Sequence, residues 1–275
     1  MKFRDDLFGH RSTLGQVCLA GAGPGDPELM TIKVLRRIQT AHAIAYDALL
    51  GPEILALIPG GTEQYAVGKR SGDPCATPQE SINFLLLRLA REGKSVLRLK
   101  GGDPLVFGRG GEEAQFLHEH GIPVEIVPAV SSVNGAAACA GIPLTHRGLS
   151  RLYTVLQGHG QHLDNIAWRA LVTQGGTWVF LMSKASVGQI ASPLIQHGAN
   201  PLLPLAVIEN ASLPDETISL HSLIQAAHGE YAAQTQGPGL VIIGPTVDLA
   251  VENQLAQSLT EIHGIALSDI SQTAS

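Results

Sequence analysis

With 275 residues, 44% of them hydrophobic, the chain is long enough for one large or two ordinary globular domains and apolar enough to build a core. A balance of 18 Lys and Arg against 24 Asp and Glu gives a net charge of −6, which excludes a general nucleic-acid footprint and requires local cations for any anionic ligand. Cys18, Cys75 and Cys139 lack paired metal or redox spacing, Met1 to Gln16 is charged where a leader would be apolar, and no run reaches the roughly 18 apolar residues of a spanning helix, so a soluble cytoplasmic protein without membrane association is expected.

Residues 1–15 read as a disordered tail. Gln16 to Ala20 follows as a strand ending in Gly21-Ala22-Gly23-Pro24-Gly25-Asp26, and Leu29 to Thr40 as a helix with Ile32, Leu35 and Ile38 on one face. A strand, glycine loop and helix in succession suggest a dinucleotide site. The glycines nevertheless fall as G-x-G-x-G with Asp26 in the place of the third, and Pro24 removes a backbone donor that a pyrophosphate would use, so nicotinamide or flavin binding is not favoured. Ala43 to Tyr46 and Tyr65 to Gly68 are the next strands, running into Asp47 and into Lys69-Arg70. Thr77-Pro78-Gln79-Glu80 reads as a helix start, with Thr as N-cap, Pro at the first helical position and Glu three residues after the cap; Ile82, Leu85, Leu86 and Leu89 form the apolar face. Val96, Leu97 and Leu99 end a buried strand that Gly101-Gly102-Asp103-Pro104 breaks. A helix opened by Glu112 and Glu113 runs to about His120, Val124 to Val127 is a strand, and Ser131 to Ala140 a helix rich in small residues.

Gly141 to Ser150 interrupts the pattern, which places a domain boundary there, between residues 16–145 and 146–250. Beyond it, strands are expected near Leu152 to Leu156, Thr177 to Leu181, Leu205 to Ile208, Thr217 to Leu220 and Leu240 to Ile243. Helices are expected near Trp168 to Thr173, Ser186 to His197 and His221 to Ala227. Residues 251–275 read as a helix giving way to a polar tail. Such alternation implies an α/β protein with largely parallel sheets covered by helices.

The stretch from Arg98 to Glu113, RLKGGDPLVFGRGGEE, carries the most chemistry. Paired glycines let backbone approach a ligand closely, and Asp103 sets a carboxylate at a strand's carboxyl end, where ligands of open α/β sheets bind. Arg109, a fork-shaped cation, and the acids after it flank one loop, which suits a charged substrate. Of the 11 histidines, His118 and His120 are two apart and do not share a helix face, and no metal cluster emerges; His146 and His159 lie in or near the motif segments as candidate substrate contacts.

Together with GAGPGDPELMT from Gly21, YDALL from Tyr46, VGKR from Val67, PAVSS from Pro128 and GIPLTHRG from Gly141, in that order and spacing, this stretch resembles the signature of the uroporphyrinogen III C-methyltransferases, within the tetrapyrrole methyltransferase superfamily. The resemblance extends from about Gln16 to Leu249. It implies two α/β domains of the class III (tetrapyrrole) methyltransferase fold with an active-site cleft between them, in a homodimer. It also implies S-adenosylmethionine as methyl donor, S-adenosylhomocysteine as its product, and methylation of uroporphyrinogen III at two pyrrole carbons, C2 and C7. The product would be precorrin-2, for sirohaem, cobalamin or haem d1 synthesis.

By the same resemblance Asp47 is the proton acceptor, Lys69 a proton donor, and Arg109 and Glu112 a substrate-handling pair, with Arg147 and Met182 as further substrate contacts. Pro24, Gly101, Gly102, Asp103, Val106, Ser131 and Ser132 would meet the cofactor from the first domain, and Met182 and Ala211 from the second. Lys69, Arg70, Lys100, Arg109, Arg147 and Arg151 are the cations on hand for an eight-carboxylate macrocycle. Several positions depart from the common pattern: Ser131-Ser132 replaces a Thr-Ala pair, Ser183 follows Met182 where Gly is common, and Ala211 stands where Gly is frequent. Residues 209–216, ENASLPDE, depart furthest. Rival readings are methylation of a later corrin precursor, a dehydrogenase resting on the first glycine loop alone, and a non-catalytic binder of the same cofactor.

Overall fold

The computed structural model describes residues 14–68 and 77–250. Contacts divide the chain into two compact units, Met1–Ser132 and Val133–Ser275.

The first unit is built on a five-stranded sheet of β1 (Gln16–Gly21), β2 (Ala43–Tyr46), β3 (Glu63–Ala66), β4 (Ser95–Lys100) and β5 (Val124–Val127), in the order β3-β2-β4-β1-β5 and parallel throughout. The inner strands β1 and β4 are near-continuously buried, as a sheet covered on both faces demands. Their alternating side chains feed two cores. Cys18, Ala20, Leu97 and Leu99 meet Val34 and Ile38 of α1 (Ile32–Thr40) and Ile54 of α2 (Pro52–Leu55). On the other face Val17, Leu19 and Val96 meet Ile82, Leu86 and Leu89 of α3 (Gln79–Arg91) and Leu117 of α4 (Gly110–Glu119). Period-2 alternation puts Arg98 and Lys100 on this second face, in phase with Val96.

Local chemistry moves several boundaries. The helix expected from Leu29 is two pieces. Asp26 caps a 3-10 turn (Pro27–Leu29) by accepting from Glu28 N at 2.8 Å, and α1 starts after Thr31, whose Oγ1 accepts from Val34 N at 3.3 Å. Ile32 is thereby 70% exposed, off the apolar face. Thr77 does not cap α3: the N-cap is Pro78, without a side-chain bond. The third strand begins at Glu63 because its register follows Ala43–Tyr46, and Pro52–Leu55 is a short helix that the sequence reading omits.

The second unit holds β6 (Tyr153–Gln157), β7 (Thr177–Leu181), β8 (Pro204–Glu209), β9 (Thr217–Ser222) and β10 (Gly239–Ile243) in the order β6-β7-β10-β8-β9. Only β6 and β7 pair in parallel; the other three pairings are antiparallel, which corrects the expectation of a largely parallel sheet here. Residues 210–216 join β8 to β9 directly, and a connection that short returns the chain antiparallel, since a parallel crossover needs a dozen residues or more. Val133, Ala136 and Ala137 of α5 (Ser132–Cys139) pack on Val179, Ala206, Ile208 and Ile242. The division therefore falls after Ser132, ahead of the 145/146 boundary expected from sequence. The opposite face buries Trp178, Phe180, Val207 and Val241 under Ile190 and Leu194 of α7 (Val187–Gln196) and Leu223 and Ala226 of α8 (Leu223–Ala227), with α6 (Trp168–Gln174) alongside. Among the described residues no helix is long and apolar enough to cross a membrane. The two tails read from sequence lie outside the described residues, apart from Leu14 and Gly15.

Candidate functional site

In the first unit the neighbouring strands β1 and β4 both end in glycine loops, and the loops are stitched together. Ala22 N donates to Lys100 O at 2.7 Å and Gly102 N to Gly23 O at 2.8 Å. A Cβ on Gly21 would lie 2.1 Å from Gly102 O and 2.7 Å from Ala129 Cβ, so no side chain fits there. Gly102 has φ +62°, and a Cβ on it would reach within 3.0 Å of Ser132 Oγ. Asp103 shapes the junction: Oδ1 accepts from Leu105 N at 2.8 Å and Oδ2 from Ala129 N at 2.9 Å, tying the β4 loop to that of β5. Pro24, Gly101, Gly102, Asp103 and Ser132 are thus gathered at the carboxyl ends of β1 and β4, with Ser131 half-buried beside them in sequence. Gly101 keeps one side open, the nearest atom to a Cβ there being Leu49 Cβ at 3.5 Å.

From this junction residues 104–109 project as a strained loop. Phe107 and Arg109 have φ of 53° and 57°, uncommon for residues with side chains. Gly110 N donates to Pro104 O at 3.0 Å, and Cβ atoms on Gly108 or Gly110 would lie 2.7 Å and 2.5 Å from that oxygen. This closure leaves Leu105, Val106 and Phe107 facing outward, all exposed. Strain that holds apolar side chains in the open is a mark of a ligand-facing segment. Arg109 caps α4 and forms a two-pronged pair with Glu112, Nε to Oε1 at 3.0 Å and Nη2 to Oε2 at 2.6 Å. Both are more than half exposed, and the guanidinium beside Glu112 holds its carboxyl below the usual range.

Asp47 stands one strand over, at the end of β2, with its N–H donating to Leu99 O at 3.2 Å. Its Oδ1 accepts from Arg98 Nη2 at 2.5 Å. Arg98 is only 2% exposed; its Nε donates to Glu113 Oε1 at 3.2 Å and its Nη1 to Leu99 O at 3.3 Å. The same Glu113 oxygen accepts from Lys100 Nζ and from Gln79 Nε2, each at 3.1 Å. Glu113 is fully buried, and its Oε2 has no hydrogen-bond partner. Burial first, then the Arg98 charge, pushes the Lys100 ammonium down from its usual range. Lys100 is therefore spent inside the unit and is not among the cations open to a ligand. Gly68 closes on this corner, a Cβ there lying 1.9 Å from Ala48 N. Lys69 and Arg70, which follow it, lie outside the described residues.

In the second unit β7 and β8 are both antiparallel to β10, hence co-directional, and their carboxyl ends share one sheet edge. Met182 follows β7 with φ 56° and 45% exposure, and Ser183 turns inward to donate from Oγ to Phe180 O at 2.6 Å. Ala211 follows β8 between Asn210 (φ 51°) and Ser212 (φ 67°) and packs partly on the sheet core. That loop hangs from Glu209, 1% exposed, whose carboxylate accepts from Lys184 Nζ, Tyr231 Oη, Gln234 N, Thr235 N and Thr235 Oγ1 at 2.8–3.0 Å. Arg147 is exposed on a turn closed by His146 N donating to Ser150 O at 2.8 Å. Among the described residues no three His, Cys, Asp or Glu side chains are grouped to hold a metal.

Sequence reasoning left Arg98 and Glu113 without roles. The signal for Arg98 was there: a cation in phase with Val96 on a buried strand must find acids inside. Which acids it finds depends on the packing of α4, which periodicity does not supply.

The family model of the tetrapyrrole (corrin/porphyrin) methylases matches residues 16–227. Among curated relatives, a sirohaem synthase of Saccharophagus degradans is 43% identical over 234 residues, covering 85% of this chain and 51% of that protein. Sirohaem synthase 2 of Cronobacter sakazakii is 41% identical over 235 residues, with 86% and 51% covered. The chain thus spans about half the length of the curated relatives it matches. Among solved structures, a uroporphyrin-III C-methyltransferase of Thermus thermophilus complexed with S-adenosylhomocysteine superposes with TM-score 0.74 at 41% identity, covering 86% of this chain and all of that one. A cobalt precorrin-4 methyltransferase gives TM-score 0.75 at 26% identity, with 84% and 95% covered. A match over most of the chain by the family model, with stitched glycine loops at the ends of β1 and β4, makes this protein a member of the tetrapyrrole (corrin/porphyrin) methylases.

Proposed function

We propose that the chain transfers methyl groups from S-adenosylmethionine to two pyrrole carbons of uroporphyrinogen III, C2 and C7, giving precorrin-2. One observation carries the reading: a carboxylate, Asp47, stands beside a glycine loop at adjoining carboxyl ends of a parallel sheet, as Leu49 beside Gly101 and the Asp47 N–H on Leu99 O attest. A base and an approachable backbone edge side by side suit proton removal next to a bound donor. Curated relatives that are named sirohaem synthases, and a similar structure that holds S-adenosylhomocysteine, support it.

The residues fit the cofactor. The half-exposed Gly101 and Pro24, the Asp103 loop and the exposed Val106 offer carbonyls and an apolar rim in the first unit; Met182 and Ala211 offer the same in the second. When bound, S-adenosylmethionine supplies an electrophilic methyl on a sulfonium. The chain's own work is positioning and proton handling. Asp47 takes the proton that leaves the methylated ring system, and Lys69 returns one. Arg109 presents an exposed fork that Glu112 holds ready, and a substrate carboxylate can take Glu112's place in the same two-pronged geometry. Arg147 anchors another carboxylate. Arg109 orients and does not act as base, because a guanidinium stays protonated. The enzyme on this reading is a cytoplasmic homodimer whose product serves sirohaem, cobalamin or haem d1 synthesis.

The test is anaerobic incubation of the purified protein with S-adenosylmethionine and enzymatically generated uroporphyrinogen III, followed by absorbance and product mass. Gain of two methyl groups supports the assignment. No methylation, with S-adenosylhomocysteine still bound, moves the acceptor to another tetrapyrrole.

A further inference from the structure

Beneath the carboxyl edge of the first sheet lies a closed set of four charges: Asp47, Arg98, Lys100 and Glu113. Two acids balance two cations. Arg98 is its hub, gripped on three sides: Nε by Glu113, Nη1 by Leu99 O, and Nη2 by Asp47. Its guanidinium is a rigid fork with one prong aimed at the candidate base. Among the described residues Arg98 is the one side chain that bonds the Asp47 carboxylate. That carboxylate stays 21% exposed while the arginine side chain behind it is 3% exposed and Glu113 is sealed, so the set has a single open end.

The cost of this arrangement argues for use. Burying an arginine, a lysine and a glutamate under α3 and α4 contributes little that apolar residues of the same volume would not, and one oxygen of Glu113 is left unpaired. The neighbouring positions Val96, Leu86 and Leu117 show that this core accepts apolar side chains. Such a set earns its place by fixing the one carboxylate at its open end.

We propose that Arg98, itself held by Glu113, is a positioning residue for the Asp47 carboxylate: it occupies Oδ1 and turns Oδ2 toward the substrate proton. This rests on the reading of Asp47 as proton acceptor. Lys100 completes the balance, taking the remaining pull of Glu113 so that Arg98 is shared and not captured. Arg98 touches no substrate; it acts through Asp47.

The experiment is a double-mutant cycle on the full chain. Arg98→Lys keeps the charge but has one ammonium where two prongs are needed, to Asp47 and to Glu113. The expected outcome is a kcat lowered about a hundredfold, the scale for a catalytic group displaced by about an ångström. KM for uroporphyrinogen III and the Kd for S-adenosylhomocysteine by calorimetry would change little, while the Tm falls but reports a folded chain. Asp47→Asn alone should cut turnover to a small residual rate, and Arg98→Lys added to it should lower that residual rate no further, since residues acting as a unit are not additive. Glu113→Gln, which preserves shape, should reproduce the kcat loss in part. The carboxyl carbon resonance of labelled Asp47 should move in Arg98→Lys and stay put in Glu112→Gln. Three results overturn the proposal. Unchanged kcat in folded Arg98→Lys does so while leaving the base assignment standing. A kcat loss that multiplies with that of residual Asp47→Asn activity shows that Arg98 acts independently. Full activity in Asp47→Asn, or none in the wild-type chain, removes the underlying reading and the proposal with it.

Discussion

Glu209→Gln should expose how much one buried carboxylate holds the second unit together. Glu209 ends β8 at 1% exposure. Burial alone would oppose its ionisation, but hydrogen bonds from Gln234 N, Tyr231, Thr235 and Lys184 outweigh that and pull the carboxyl down from 4.5 to about 2. At about 1.4 kcal/mol for each tenfold change, this corresponds to on the order of 3 kcal/mol of stability at neutral pH. A depressed carboxyl contributes fully above its unfolded value and loses its contribution as pH falls through the folded one, so the window runs from about pH 5 down to pH 2. Only about 1 kcal/mol of it should survive at pH 3. Glutamine places an amide donor among donors and cannot follow this titration. Urea denaturation of both proteins should therefore give a stability gap of about 3 kcal/mol at pH 7 that narrows by about 2 kcal/mol at pH 3. The loop bearing Ala211 hangs from the same carboxylate, so S-adenosylhomocysteine should also bind more weakly to the variant. A gap that does not change with pH would refute the reasoning.

Gly21→Ala pushes a methyl to 2.1 Å from Gly102 O; it should cost about 2 kcal/mol or more in urea denaturation and weaken S-adenosylhomocysteine binding, whereas a neutral effect would mean that the two loops are not stitched as described. Arg109→Lys should cut turnover steeply and spare cofactor binding by calorimetry, because an ammonium cannot make the two-pronged contact. Burial, then the Glu125 carboxylate, pushes the Cys18 thiol up to about 12, so mass-mapped alkylation at pH 8 should leave the Cys18 peptide unmodified until urea unfolds the chain. Prolonged treatment with a strong chelator should leave methyl transfer intact, and loss of activity restored by a divalent metal would contradict the expectation of no metal requirement.

Much of the first unit was legible because buried parallel strands announce themselves. Ala43–Tyr46 and Val124–Val127 match their expected limits, and β1 and β4 extend theirs by a residue at the glycine loops. Periodicity finds strands, but it says nothing of the partner across the sheet. That is why the antiparallel β8, β9 and β10 read as parallel; for β8 and β9 the length of the 210–216 connection distinguishes the two. The helix start at residue 77 differs as well: its composition suits a cap, yet Pro78 is the N-cap and makes no side-chain bond, while Gln79 bonds Glu113 across 34 residues and Asn83 along α3. The glycine loops themselves were legible, since a turn without room for Cβ writes glycine into the sequence. Contacts made through side-chain geometry were not. Asp103 reads as a strand-end carboxylate offered to a ligand but is bound to backbone on both oxygens, and Lys100 reads as a ligand cation but pairs inward.

The most direct test of the account uses S-adenosylmethionine labelled with carbon-13 in its methyl group, with uroporphyrinogen III as acceptor under anaerobic conditions, and locates the label in the product by NMR. The account predicts two labelled methyl groups, each bonded to a pyrrole carbon, at C2 and C7. Label on a carboxylate oxygen, on one carbon alone at completion, or nowhere in the macrocycle would contradict it.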